Sequence, residues 1–292
     1  TLFEAPTGDT LLGAEVNFSP CVAGYVGGDI TAGLLASKLC SAGGSSLFLD
    51  IGTNGEMALV SGGRVSCCAV ASGPAFEGAG ISCGMPALSG AVSHVRYDRG
   101  FLYDVIGAVE PVGICGSGLI DLAATLLKLG CIDPGGRLLP PELAPEKVRR
   151  YIRPDGQGNG VFYLTENVYL TAADVRSLQL AKAAVAGGVE VLLDRHGIKA
   201  GDLSRVCLAG GFGNYIDPKS AMVLGMLPEI SPERLHCLGN TSLAGASMAA
   251  VDPEERRELR SCAEKCEYIE LSGLREFTEA FTDNMTFDIT ED

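Results

Sequence analysis

Three short apolar runs in quick succession, 47–51, 56–60 and 64–71, constrain this chain more than any other feature. Gly52-Thr53-Asn54-Gly55 joins the first to the second, and Ser61-Gly62-Gly63 joins the second to the third. A parallel crossover needs a dozen residues or more, so connections this short make the three runs adjacent antiparallel strands. A sheet therefore begins here, and the later segments must cover its faces.

Helical periodicity takes over downstream. Gly118 to Leu129 lines up Leu119, Leu122, Ala123, Leu126 and Leu127 and stops at Gly130. Thr171-Ala172-Ala173-Asp174 is a capping-box-like start, after which Val175, Leu178, Val185, Val189 and Leu192 predict a long helix ending near Gly197. A strand over 205–209 runs into Gly210-Gly211-Phe212-Gly213, and Asp217-Pro218 reads as a cap with proline in the first turn. A strand over 234–238 then leads to a small-residue helix over 242–251, and Asp252-Pro253 opens another helix. Strands alternating with helices make this an α/β chain. The segment 130–160 carries Pro134, Pro140, Pro141, Pro145 and Pro154 and reads as an excursion or a flexible loop.

Charge narrows the function. With 36 acidic against 22 basic residues the net charge is −14, which repels nucleic-acid phosphates and anionic lipid surfaces, and the densest basic run is only 147–150. No apolar stretch is long enough to cross a bilayer and no signal core opens the chain, so a cytoplasmic protein is expected. The missing initiator Met fits a chain that begins inside a longer one. Eleven cysteines, most of them in apolar runs, read as buried thiols in a reducing compartment. There is no Cys-x-x-Cys, although Cys262 and Cys266 would share a helix face with a possible metal or redox role. His94, His196 and His236 lie in no carboxylate or serine pattern and are assigned surface or core roles.

Phe48 to Glu56 is the strongest candidate site. A buried strand delivers Asp50 to its end, and the chain turns through Gly52, Thr53, Asn54 and Gly55, which suits an anion with a magnesium ion held near Asp50 through water. The same residues also describe an ordinary Asn-Gly hairpin, and both readings hold together. Gly210, Gly211, Phe212 and Gly213 would let a flat nucleoside lie on bare backbone, or would only serve a strand-to-helix turn. Gly116 and Ser117 open a helix and form a potential anion site. Glu77 is either a carboxylate at the mouth of the site or a first-turn residue. A P-loop is excluded, because no Gly-Lys-Ser/Thr occurs.

Together these residues resemble the actin-like (ASKHA) ATPase superfamily. Within it, the strings DIGTNGE (50–56), SGPAFEGAGISCGMPALSGAV (72–92), GICGSGLIDL (113–122), LQLAKAAVAGGVEVLL (178–193), LAGGFGNYIDPKSAMVLGMLP (208–228) and GNTSLAGA (239–246) are similar to the C-terminal part of the ATP-dependent reductive activators of corrinoid proteins. The resemblance implies a ribonuclease H-like lobe, a mixed sheet flanked by helices. Residues 1–46 would end the preceding portion and 47–292 would form the C-terminal actin-like region. It also implies ATP and Mg2+ as cofactors, with Asp50, Gly52, Thr53 and Asn54 at the phosphates and Gly210 to Gly213 framing the adenosine. A [2Fe-2S] cluster is expected only in an upstream ferredoxin-like domain. The partner would be a corrinoid protein of a methyl-transfer system, returned from Co(II) to Co(I), and a homodimer stays open. Only one phosphate loop of the family's two is present here, which makes this chain part of a split site.

Two other classes stay in view. One is a non-catalytic interaction module, which an exposed apolar patch on helix 171–196 would favour. The other is an actin-like small-molecule kinase, for which Glu77 is the nearby candidate base.

Overall fold

Residues 17–213 and 215–287 are described in the computed structural model, with Phe212 described by its backbone only. In chain order the elements are α1 (Gly28–Ala36), β1 (Ser45–Ile51), β2 (Gly55–Ser61), β3 (Arg64–Val70), β4 (Ala91–Tyr97), β5 (Phe101–Val105), β6 (Gly113–Ile114) and α2 (Gly116–Lys128). There follow α3 (Glu146–Arg149), β7 (Ile152–Pro154), β8 (Gly160–Tyr163), β9 (Tyr169–Leu170), α4 (Ala172–His196), β10 (Leu203–Ala209), the single turn α5 (Gly210–Gly213) and α6 (Pro218–Val223). The chain closes with β11 (Leu235–Gly239), α7 (Thr241–Val251), α8 (Pro253–Lys265), β12 (Cys266–Tyr268) and α9 (Arg275–Asp283).

The main sheet has six strands in the order β11-β10-β1-β2-β3-β12. β2 runs antiparallel to both β1 and β3, as the short turns demand, whereas β10, β11 and β12 join in parallel. Because successive strand residues point to opposite faces, this sheet sorts its side chains into two cores. Leu47, Leu49, Ile51, Met57, Leu59 and Leu208 pack in the larger core with Val185, Val189 and Leu192 of α4. Phe48, Ala58, Val60, Cys207 and Ala209 face the other way and pack with Ile30 and Leu34 of α1. By the same alternation Asp50 and Glu56 belong to the α1 face.

α4 begins with the expected capping box. The Asp174 amide donates to Thr171 Oγ1 at 3.2 Å, and the Thr171 amide donates back to the Asp174 carboxylate at 2.8 Å. It ends at Gly197 in a left-handed conformation. The helix is buried along most of its length, so it does not present the apolar patch that an interaction module would need there. On the opposite face α1 crosses α7 in backbone contact. A Cβ on Gly245 would lie 2.0 Å from the Ala32 carbonyl oxygen, so only glycine permits this approach.

The segment 130–160 is an excursion, but its flexible-loop alternative gives way to packing. Leu138, Ala144, Val148 and Ile152 are buried in the larger core, and β7, β8 and β9 form a separate three-stranded sheet. Phe101, Tyr151 and Phe162 meet edge-on or tilted with ring centroids 4.8, 5.0 and 5.9 Å apart, which anchors the excursion without a long helix. One expectation about the cysteines is also overturned. Cys40 and Cys262 are joined by a disulfide, and Cys266 lies beyond the last turn of α8 instead of sharing its face. Among the described residues no helix is long and apolar enough to cross a membrane.

Candidate functional site

The hairpin between β1 and β2 brings Asp50 opposite Glu56 and Ile51 opposite Gly55, leaving Gly52, Thr53 and Asn54 as the turn. Each carbonyl of that turn is engaged by the protein. Gly52 donates to the Asn54 carbonyl at 2.8 Å. Ser72 Oγ donates to the Gly52 carbonyl at 2.9 Å and to that of Thr53 at 3.2 Å, and the Gly73 amide adds a bond to Thr53 at 3.0 Å. An anion arriving at a turn whose carbonyl lone pairs are taken meets amide N–H groups, the arrangement that binds phosphate.

Glu77 ends the 3-10 turn Pro74–Glu77, the first-turn position that one of its sequence readings gave it. Its carboxylate reaches the hairpin and accepts from Thr53 Oγ1 through both oxygens, each at 2.8 Å. Thr53 is thereby oriented by a group 24 residues away, at the mouth of the turn.

Asp50 pairs in register with Ala209 of β10, which places Gly210 beside it. Gly210 has φ +80°, and a Cβ built on it would stand 2.3 Å from Asp50 Oδ1. The glycine therefore serves twice, for the left-handed turn and for the space the carboxylate occupies. A Cβ on Gly211 would meet nothing within 4 Å, so this side of the turn is open, whereas Gly213 packs on Leu208. β11 ends alongside, and Asn240 caps α7 by accepting from the Leu243 amide at 2.9 Å. The Phe212 side chain and Asn214 lie outside the described residues.

Sequence reasoning missed how far the negative charge extends. Asp29 stands in the first turn of α1, on the face to which alternation sends Asp50 and Glu56. Burial pushes the Asp50 carboxyl above its ordinary range, and the Asp29 charge adds to this. Glu56 is pushed up to about 7, first by burial and then by the charges of Asp29 and Asp50, with a hydrogen bond from Asn54 opposing. No basic side chain contributes to either shift. Such a pocket gains by taking in a cation. Yet among the described residues no three acidic, His or Cys side chains stand close enough to encage one. The residues thus fit a magnesium ion that keeps its waters and arrives with phosphates, not an ion held in an all-protein cage.

Gly116 and Ser117 are placed differently. Ser117 is buried and its hydroxyl donates to the Ser93 carbonyl at 2.8 Å, so the N-terminus of α2 is sealed against β4. Its polar groups serve packing there. The histidines make contacts that no local pattern shows. His94 Nδ1 lies 3.0 Å from the buried Asp121 carboxylate, and His196 Nε2 lies 2.9 Å from Ser66 Oγ. These pairs span 27 and 130 residues, beyond any local spacing signal. A separate cleft of about 1000 Å³, lined by Leu193, Met222, Met226 and Leu227 with Lys128 and Glu229 at its rim, shares no residue with the hairpin.

Comparison with known proteins places this geometry in context. Residues 44–292 match the family described as the C-terminal domain of RACo, the ASKHA domain. The chain is 34% identical over 282 residues to the corrinoid activation enzyme RamQ of Eubacterium limosum, an alignment covering 93% of this chain and 47% of that protein. It is 29% identical over 279 residues to the [Co(II) methylated amine-specific corrinoid protein] reductase of Methanosarcina barkeri, covering 87% and 48%. Among solved structures, a reductive activator for corrinoid, iron-sulfur protein superposes with a TM-score of 0.81 at 38% identity, covering 92% of this chain and 44% of the other. The chain spans about half the length of the curated relatives it matches.

Proposed function

This chain belongs to the family of C-terminal ASKHA domains of RACo, and from that membership we propose that it is the nucleotide-binding part of a reductive activator of corrinoid proteins. In the whole protein, ATP would drive electron transfer to a corrinoid protein and return its cobalt from Co(II) to Co(I). The relatives, a corrinoid activation enzyme and a Co(II) corrinoid protein reductase, support the substrate class. The observation that carries the nucleotide reading is the carboxylate pair Asp50 and Glu56, both raised in pKa by burial and by the nearby Asp29 charge with no basic neighbour contributing, beside a turn whose carbonyls are all engaged.

The roles follow from position. Thr53 and Asn54 would seat phosphate oxygens on their amide N–H groups, with Gly52 and Gly55 shaping the turn, the Gly52 amide closing it onto the Asn54 carbonyl, and the Thr53 hydroxyl held in place by Glu77. The open side of the turn at Gly211 would let the adenosine approach backbone closely, with Gly210 and Gly213 shaping that turn. Magnesium, when bound, would neutralise phosphate charge, with Asp50 holding its waters from the protein side and Asp29 and Glu56 behind. Glu77, at the mouth of the turn, is the carboxylate placed to orient an attacking water. ATP can drive an uphill reduction only by binding one geometry of the complex with the corrinoid protein more tightly than another.

The test is calorimetric titration of the 292-residue chain and of the full-length parent with Mg-ATP. Binding to both, with turnover by the parent alone, supports a split ATP site of which this chain supplies one side. Turnover by this chain alone overturns the split site, and binding to neither leaves the interaction module as the better reading.

A further inference from the structure

Five cysteines gather on the α1 face of the sheet. Cys67, Cys207 and Cys262 belong to the smaller core, and Cys40 and Cys266 pack against it. Cys40 lies in the turn Leu39–Ser41 that follows α1, and Cys262 in the last turn of α8. Their disulfide joins residues 222 positions apart across a Cα separation of 6.1 Å, and so ties the far end of α1 to α8. Lys38, next to that turn, reinforces the tie by pairing with Glu255 at 2.6 Å and Glu258 at 3.3 Å.

Cys266 completes the arrangement. It follows α8 directly, and its Sγ donates to the Cys262 carbonyl at 3.2 Å, which holds the thiol over the helix end that carries the disulfide. A hydrogen bond from the Cys67 thiol holds its pKa below the ordinary thiol range. Cys262 is only 1% exposed, so an external thiol has little access to its sulfur, whereas Cys40 and Cys266 are both partly exposed. An attack on Cys262 must come from inside the protein.

We propose that Cys40, Cys262 and Cys266 form a thiol–disulfide exchange site served by an external dithiol reductant. The Cys266 thiolate attacks Cys262 Sγ, a Cys262–Cys266 bond forms, the Cys40–Cys262 bond breaks, and Cys40 departs as the thiolate and takes up a proton from water. This step needs no outside electrons. Net reduction follows when a dithiol attacks the partly exposed Cys266 sulfur. It supplies two electrons, becomes a disulfide itself, and leaves Cys262 and Cys266 as thiols. Exchange thus detaches the end of α1 from α8 by a route that never exposes Cys262.

The test is a disulfide map of the full 292-residue chain, isolated in air, exposed briefly to limiting dithiothreitol and quenched with acid and N-ethylmaleimide. A Cys262–Cys266 linked peptide alongside alkylated Cys40 is the expected result, and its absence from the wild-type map overturns the exchange. Cys266→Ser should remove that peptide and slow loss of the Cys40–Cys262 bond by roughly tenfold or more, since direct attack on the partly buried Cys40 is the route that remains. An unchanged rate in Cys266→Ser, or Cys40 and Cys262 both alkylated without reductant, would also overturn it. Because the wild-type map is decisive by itself, the outcome does not depend on the variant folding.

Discussion

Asp50 and Glu56 are direct cross-strand partners in the β1–β2 hairpin, two carboxylates facing the same side of the sheet with Asp29 as their neighbour. Like charges directly opposite one another destabilise a sheet, so this pair is retained at a cost to the fold in the absence of a cation.

Asp50→Asn separates binding from stability. The substitution is nearly isosteric and removes one charge from the cluster, so the melting temperature should stay level or rise while affinity for Mg-ATP falls by about tenfold or more, equal to about 1.4 kcal/mol. Calorimetry and thermal melting on the same preparation check both. A drop in melting temperature would assign Asp50 a structural role.

The shift on Glu56 gives a pH dependence with a definite sign. Its folded pKa of about 7 lies above the ordinary 4.5, so the folded state binds more protons between these values and stability declines as pH rises through that window. The group is only about half buried, and after discounting for solvent screening the loss should be on the order of 1–2 kcal/mol. Urea midpoints at pH 5 and pH 7.5 should show it, and Glu56→Gln should flatten it. Near pH 7, binding of Mg-ATP should release protons, seen as a binding enthalpy that changes with the buffer's ionisation enthalpy.

Gly210→Ala meets two obstacles, a left-handed backbone and the Asp50 oxygen 2.3 Å from the new Cβ. The backbone alone costs about 1–2 kcal/mol, so a clear fall in stability is expected together with weaker nucleotide binding. Gly211→Ala is the neighbouring control. Nothing lies within 4 Å of its Cβ, so stability should change by no more than about 0.5–1 kcal/mol, and any loss of affinity then reports contact with the nucleoside.

Thr53→Val removes the hydroxyl that bonds Glu77 at an exposed position. Stability should change by about 0.5 kcal/mol or less, whereas ATP turnover by the full-length parent should fall. Glu77→Gln keeps a carbonyl to accept from Thr53 but removes the charge. Turnover should therefore fall further in Glu77→Gln than in Thr53→Val if the carboxylate orients water, and steady-state phosphate release measures this.

Much of the fold was legible because its signals are local. The short turns after Ile51 and Ser61 required an antiparallel meander, and Thr171, Asp217 and Asp252 cap helices as their neighbours in sequence imply. The hairpin and the Gly210 turn could be picked out for the same reason. What could not be read depends on packing between distant segments. Asp29 joins Asp50 only because α1 covers one face of the sheet, and the alternation that sends Glu56 to that face gives no hint of what lies over it. The Ser117 hydroxyl is taken by Ser93, 24 residues upstream, which no helix-start pattern reveals. Cys40 and Cys262 meet across 222 residues, and composition alone suggested only buried thiols.

The backbone contact between α1 and α7 has a mechanical consequence. Where helices meet through long side chains, rotamer changes cushion small shifts. Here Gly245 rests against the Ala32 carbonyl, and a Cβ on Gly33 would stand 3.0 Å from Thr241 Oγ1 of α7, so there is little cushion. α1 begins at the carboxylates and α7 begins just after the Gly239 end of β11. The two helices should therefore move as one unit, so that a displacement at one edge of the proposed nucleotide cleft would be delivered almost undiminished to the other.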